Sequence, residues 1–136
     1  MRAVLVDAGP LVALLDRSDD HHQEVVEALA SIDDDLVTVW PVVIEAMYLL
    51  AFSWQAQKAL WEILETGSVR LLSIDHHDIP RLKSLMEKYR DLPMDMADAA
   101  LVRVAEREGI RRVLTLDRRD FATYRLSRKG SFTLLP

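Results

Sequence analysis

The sequence predicts an α/β fold in which a mostly parallel sheet is covered by helices on both faces. Two observations carry that expectation. Short, largely apolar strand-like runs alternate with helical segments, a pattern that favours crossover connections and parallel pairing. At 136 residues, half of them hydrophobic, the chain can bury a real core as one compact domain spanning 1–136.

The first strand is Ala3 to Val6, an apolar run that Asp7 ends. Helices follow over Gly9 to Leu15 and Asp20 to Ser31, the second with Asp19 as its N-cap. Leu36 to Val39 reads as the second strand, followed by helices over Val42 to Ala51 and Trp54 to Thr66; Ser53 caps the latter and Gly67 stops it. Val69 to Ser73 is the third strand, after which Asp75 caps a helix over His76 to Tyr89. Pro93 precedes a helix over Asp95 to Glu108, where a proline breaks nothing, and Gly109 ends it. Arg112 to Thr115 and Phe132 to Leu134 complete the strands. No linker, repeat or low-complexity tract interrupts this order.

Composition narrows the chemistry. The chain has no cysteine, which excludes disulfides, thiolate metal sites and cysteine nucleophiles together. Asp7 breaks the N-terminal apolar run before it resembles a signal peptide, and no uncharged stretch reaches the ~20 residues of a membrane span. The expectation is a soluble, cytoplasmic protein. Net charge is −5, yet from Leu101 onward nine basic residues stand against four acids. Local potential rather than global charge governs encounter, so this segment can face a phosphate backbone. Arg112, Arg118 and Arg119 are the candidates, because they flank Asp117 and the strand before it.

Four acids, Asp7, Glu45, Asp98 and Asp117, lie where apolar strands and helices would bring them together. Asp7 and Asp117 follow strand-like runs, and ligands collect beyond the carboxyl ends of parallel strands. Glu45 stands among Val42, Val43, Ile44, Ala46 and Met47, where an unpaired charge is expensive to bury. Packed carboxylates repel, and a hard divalent cation such as Mg2+ or Mn2+ relieves them. Asp7 and Asp98 are assigned to the principal ion; Glu45 and Asp117 complete a second site or orient waters. Asp95 either shares the helix face of Asp98 or serves as the N-cap. Asp120 is assigned to capping the helical turn before Phe121, a core anchor. The pairs His21-His22 and His76-His77 lack the i, i+4 spacing of a helical zinc site, and no glycine-rich phosphate loop is present.

Four segments together resemble the PIN domain nucleases, and within them the VapC-like toxins of toxin–antitoxin pairs. They are Val4-Leu5-Val6-Asp7, Pro41 to Ala46, Met94 to Leu101, and Leu114 to Phe121. The resemblance implies a three-layer α/β/α sandwich and metal-dependent hydrolysis of RNA. Asp7, Glu45, Asp98 and Asp117 match the family's acidic positions, with Asp95 as an auxiliary acid and Thr115 as a nearby hydroxyl. One departure is Ala8, where members commonly carry serine or threonine; either activity is weaker, or Thr115 supplies the hydroxyl.

Two consecutive helices between Trp40 and Trp61 carry more large apolar side chains than one inward face needs. Met47, Tyr48, Phe52, Trp54 and Trp61 are the candidates for a partner interface, facing a homodimer mate or, as the resemblance implies, a protein antitoxin. Two other functions remain open at this point: a catalytically weak or inactive PIN-fold module that binds RNA or protein, and a phosphoacceptor receiver-like domain. The receiver reading requires an acidic pair after the first strand and a late lysine, where this chain has Asp7 alone and arginines.

Overall fold

The computed structural model describes residues 2–127 and 130–136. In chain order the elements are β1 (Ala3–Val6), α1 (Ala8–Leu15), α2 (His22–Ala30), β2 (Asp35–Thr38), α3 (Trp40–Leu49), α4 (Trp54–Thr66) and β3 (Val69–Leu71). A 3-10 turn at His76–Asp78 leads into α5 (Ile79–Lys88), followed by α6 (Met96–Glu108), β4 (Arg112–Leu114), α7 (Arg118–Thr123), β5 (Arg125–Leu126), β6 (Gly130–Ser131) and β7 (Thr133–Leu135). Five strands form one sheet in the order β3-β2-β1-β4-β7, and every pairing in it is parallel. A short antiparallel pairing of β5 with β6 stands apart.

This order explains where a ligand would sit. The chain winds outward from β1 through β2 to β3, then returns to lay β4 on the other side of β1. Such a reversal opens a crevice at the carboxyl ends of the two central strands. The register Val6↔Leu114 sets Asp7 beside Thr115 at that edge, and Asp7 N–H donates to the Leu114 carbonyl at 3.0 Å. On the other side, the buried Thr38 hydroxyl donates to the Val6 carbonyl at 2.8 Å.

All four residues of β1 are buried, as a strand central to a covered sheet requires. Helix α6 is buried almost all round from Ala97 to Ala105, and its small residues Ala97, Ala99, Ala100 and Ala105 let it approach its neighbours closely. A helix so enclosed gives its one acid within that run, Asp98, little access to water except at the crevice. Phe121, Tyr124, Tyr89 and Phe132 pack edge-on beside it, with centroids 5.1–5.6 Å apart. Behind α6 the buried Asp78 carboxylate accepts from Arg103 Nε at 2.7 Å and Arg107 Nη1 at 2.9 Å, tying the 3-10 turn before α5 to α6. Among the described residues no helix is long and apolar enough to cross a membrane.

The sequence boundaries shift in places. Helix α2 starts at His22, with Asp19 one turn earlier accepting from His21 N–H rather than capping the helix. Helix α3 starts at Trp40 because Pro41, with its fixed φ and missing N–H, fits the first turn. Ser53, Gly67 and Gly109 cap as their residue types suggest, the two glycines at φ 79° and 71°. Asp75 caps the 3-10 turn through a reciprocal pair with Asp78.

Candidate metal-binding cleft

An open cleft of about 500 Å³ lies at the carboxyl edge of β1 and β4. Six carboxylates line it, from Asp7, Glu45, Asp95, Asp98, Asp117 and Asp120, with apolar walls from Leu49, Pro93 and Leu116. Among the described residues no basic side chain lines it. The four acids expected from the sequence therefore do meet, together with the auxiliary Asp95.

Each acid reaches the cleft for a local reason. Asp7 follows β1 and caps α1: its Oδ1 accepts from Ala8 N–H at 2.8 Å, while Oδ2 accepts from the Thr115 hydroxyl at 2.8 Å. Thr115 is fully buried and its oxygen also accepts from Asp117 N–H at 2.9 Å, so one hydroxyl ties the ends of β1 and β4 together. Ala8 offers only its backbone here, and the hydroxyl beside Asp7 is that of Thr115. Asp95 caps α6 through Asp98 N–H at 2.8 Å and lines the cleft as well.

Asp117, not Asp120, is the N-cap of α7. Asp120 sits in the first turn of that helix, its N–H donating to Asp117 Oδ1 at 3.3 Å, and its carboxylate faces the cleft. Asp98, Asp117 and Asp120 each bring a carboxylate oxygen to within 4.8 Å of the others. Asp120 is the cleft residue that sequence reasoning missed. The signal was present in the three-residue spacing to Asp117, which puts both acids at one helix N-terminus.

The electrostatics follow from crowding in a partly dry space. Burial pushes the Asp7 carboxyl above its usual range, opposed by the bonds from Thr115 and Ala8 and reinforced by Asp117 and Asp95. Burial pushes Asp98 up to about 8; the Tyr124 hydroxyl, donating to Asp98 Oδ2 at 2.6 Å, opposes the shift, and Asp95, Asp7 and Asp117 add to it. Glu45 is raised by burial, then by Asp95 and Asp7, and Asp120 by burial and the adjoining Asp117. Four acids thus hold protons more tightly than they would in water. An all-oxygen donor set in this condition fits a hard divalent cation, whose charge offsets the repulsion.

The basic candidates divide. Arg112 is at the start of β4, paired with Val4 in register and with Asp34 through its guanidinium. That is the edge opposite the cleft, and the expected phosphate contact is corrected accordingly: nearness in sequence to Asp117 did not say which end of the strand the side chain marks. Arg118 and Arg119 are exposed on α7 beside the cleft; Arg118 donates to the main-chain oxygen of Pro136, and Arg119 is near enough to Asp120 to pull its carboxyl down. Of the other basic residues counted near the C-terminus, Arg128 and Lys129 lie outside the described residues.

The expected partner face is largely open. Tyr48 is 79% exposed, Phe52 68% and Trp54 64%, while Trp61 packs its ring 6.3 Å from Trp40. Met47 is half-buried against the core and adds little to the open face. Ile44 and Trp40 extend it instead. None of the histidines lines the cleft; His22 Nδ1 meets the Ala13 carbonyl oxygen at 2.7 Å and His21 pairs with Glu24.

Known proteins share this architecture. The family model described as PIN domain matches residues 4–126. Ribonuclease VapC26 of Mycobacterium tuberculosis is 34% identical over 135 residues, covering 98% of this chain and 100% of that protein. Among solved structures, the fold is similar to Mycobacterium tuberculosis VapC20, a sarcin-ricin loop cleaving toxin, with a TM-score of 0.78 at 19% identity over 85% of this chain and 91% of that one. It is also similar to a chain of VapBC2 from Rickettsia felis bound to a promoter DNA fragment, with a TM-score of 0.69 at 14% identity over 98% of this chain and 99% of that one. A parallel sheet reversing at β1 and β4, with carboxylates gathered at the reversal, and a family match over most of its length agree: the chain belongs to the PIN domain family.

Proposed function

We propose that this chain is a divalent-metal-dependent endoribonuclease, the toxin of a toxin–antitoxin pair, acting in the cytoplasm as a single domain. The observation that carries the reading is the meeting of Asp98, Asp117 and Asp120 oxygens within 4.8 Å at the sheet's switch point. Asp98, Asp117 and Asp120 would hold Mg2+ or Mn2+. Asp7, assigned with Asp98 to the principal ion, accepts one protein hydrogen bond on each oxygen, which orients the carboxylate and leaves a lone pair on each for the ion. When bound, the ion supplies positive charge against the scissile phosphate and makes water acidic enough to act as a nucleophile near neutral pH. Glu45, whose proton affinity is raised, lines the same cleft and would take a proton from the attacking water. Arg118 and Arg119 flank the opening and would contact neighbouring phosphates.

The Thr115 hydroxyl, which donates to Asp7, supports the active reading over the inactive module for which Ala8 is the hint. The open face of α3 and α4 supports a protein partner: Tyr48, Phe52 and Trp54 form an apolar surface larger than solvated helices usually leave bare. An antitoxin, with a second copy of this chain elsewhere on the surface, is the occupant this reading assigns. The test is cleavage of a short RNA with Mg2+ or Mn2+. Wild type should cleave, a chelator should stop it, and Asp7→Asn or Asp98→Asn should abolish it while leaving the far-ultraviolet dichroism unchanged. Equal cleavage by wild type and both variants would refute the assignment and point to a contaminating nuclease.

A further inference from the structure

We propose that Tyr124 is a positioning residue for cation binding: its buried hydroxyl holds one oxygen of Asp98 and thereby turns the other toward the cleft. The inference rests on the metal-dependent reading above and deepens it. Tyr124 is fully buried, and its hydroxyl donates to Asp98 Oδ2 at 2.6 Å. Among the described residues Asp98 Oδ1 has no such partner and no buried side-chain polar atom is left unpaired, so that oxygen opens to the cleft that Asp98 lines.

The clamp is itself rigid. The Tyr124 ring packs edge-on between Tyr89 at 5.1 Å and Phe121 at 5.2 Å, and the Tyr89 hydroxyl accepts from Arg125 N–H at 2.9 Å. Tyr124 also ends α7, the helix that Asp117 opens and on whose first turn Asp120 stands. One short element therefore presents two cleft acids and the group that orients the third. Without the hydroxyl, Asp98 loses the bond that keeps its carboxylate in one orientation, and a ligand free to rotate must be ordered when the ion binds.

The test compares Tyr124→Phe, Tyr89→Phe and wild type by calorimetric titration with Mn2+, alongside RNA cleavage as a function of Mn2+ concentration. Tyr124→Phe should bind Mn2+ about 10- to 100-fold more weakly. The Mn2+ concentration for half-maximal cleavage should rise by the same factor, with the KM for RNA unchanged. Tyr89→Phe, which removes a hydroxyl from the same aromatic cluster, should bind as wild type. The inference is overturned if Tyr124→Phe binds Mn2+ within about twofold of wild type, or if Tyr89→Phe loses as much. Wild type that takes up no Mn2+ at all would sink the nuclease reading and this inference with it, a result distinct from the other two.

Discussion

Replacing Asp98 by asparagine should stabilise the ion-free protein in mildly alkaline solution while abolishing cleavage. Burial in α6 pushes the Asp98 carboxyl up to about 8, with the surrounding acids contributing, whereas an unfolded aspartate titrates near ~3.9. Between those values the folded state holds more protons than the unfolded state, so stability falls as pH rises through the window, and the whole cost is present above about pH 8. At about 1.4 kcal/mol per pH unit, the gap sets a ceiling of about 6 kcal/mol. Water in the open cleft screens the charge and brings the expected cost to on the order of 2–3 kcal/mol. Asparagine keeps an oxygen for the Tyr124 hydroxyl but carries no charge. Thermal denaturation without divalent ion should give wild type and Asp98→Asn similar Tm values at about pH 4. Near pH 8 the variant should melt about 6–12 °C higher, taking roughly 3–4 °C per kcal/mol for a chain of this length. Mn2+ should raise the wild-type Tm far more than that of the variant. A variant no more stable than wild type near pH 8 would refute the claim that the cleft carries unrelieved charge.

Thr115→Val keeps the shape of the side chain but removes both of its bonds at the strand ends; it should cost about 2–3 kcal/mol in urea denaturation, since one of them serves a buried carboxylate. Asp78→Ala leaves Arg103 and Arg107 without their shared partner and should cost about 3 kcal/mol by the same measurement. Although burial alone would raise the Asp78 carboxyl, the Asp75 N–H and the two arginines hold it below the usual range. Its contribution is therefore present above about pH 4 and should disappear as pH falls through its depressed value, which an acid titration followed by tryptophan fluorescence would detect. Tyr48→Ser with Phe52→Ser should leave Tm within about 2 °C, because both side chains are exposed, yet abolish co-purification with a co-expressed antitoxin.

Much of this site is legible in the sequence because its acids interrupt apolar runs. Asp7 and Asp117 stand where strands must end, and Asp98 stands in a helix otherwise apolar enough to be enclosed. The positions of Ser53, Gly67 and Gly109 as helix caps follow from local backbone chemistry alone. What failed depended on long-range geometry. Arg112 looked close to Asp117 along the chain, but β4 carries it to the opposite edge of the sheet, where Asp34 takes its charge. Asp120 looked like a cap because the helix start was misplaced by three residues; with Asp117 as the cap, its carboxylate is released to the cleft. The role of Tyr124 could not be read at all, since its contact with Asp98 joins residues 26 apart through tertiary packing.

The central claim is tested most directly by soaking crystals of the wild-type protein in Mn2+ and recording anomalous scattering. The account requires a peak coordinated by oxygens of Asp98, Asp117 and Asp120, lost in Asp98→Asn. An absent peak, or one held by carboxylates elsewhere on the molecule, would contradict it.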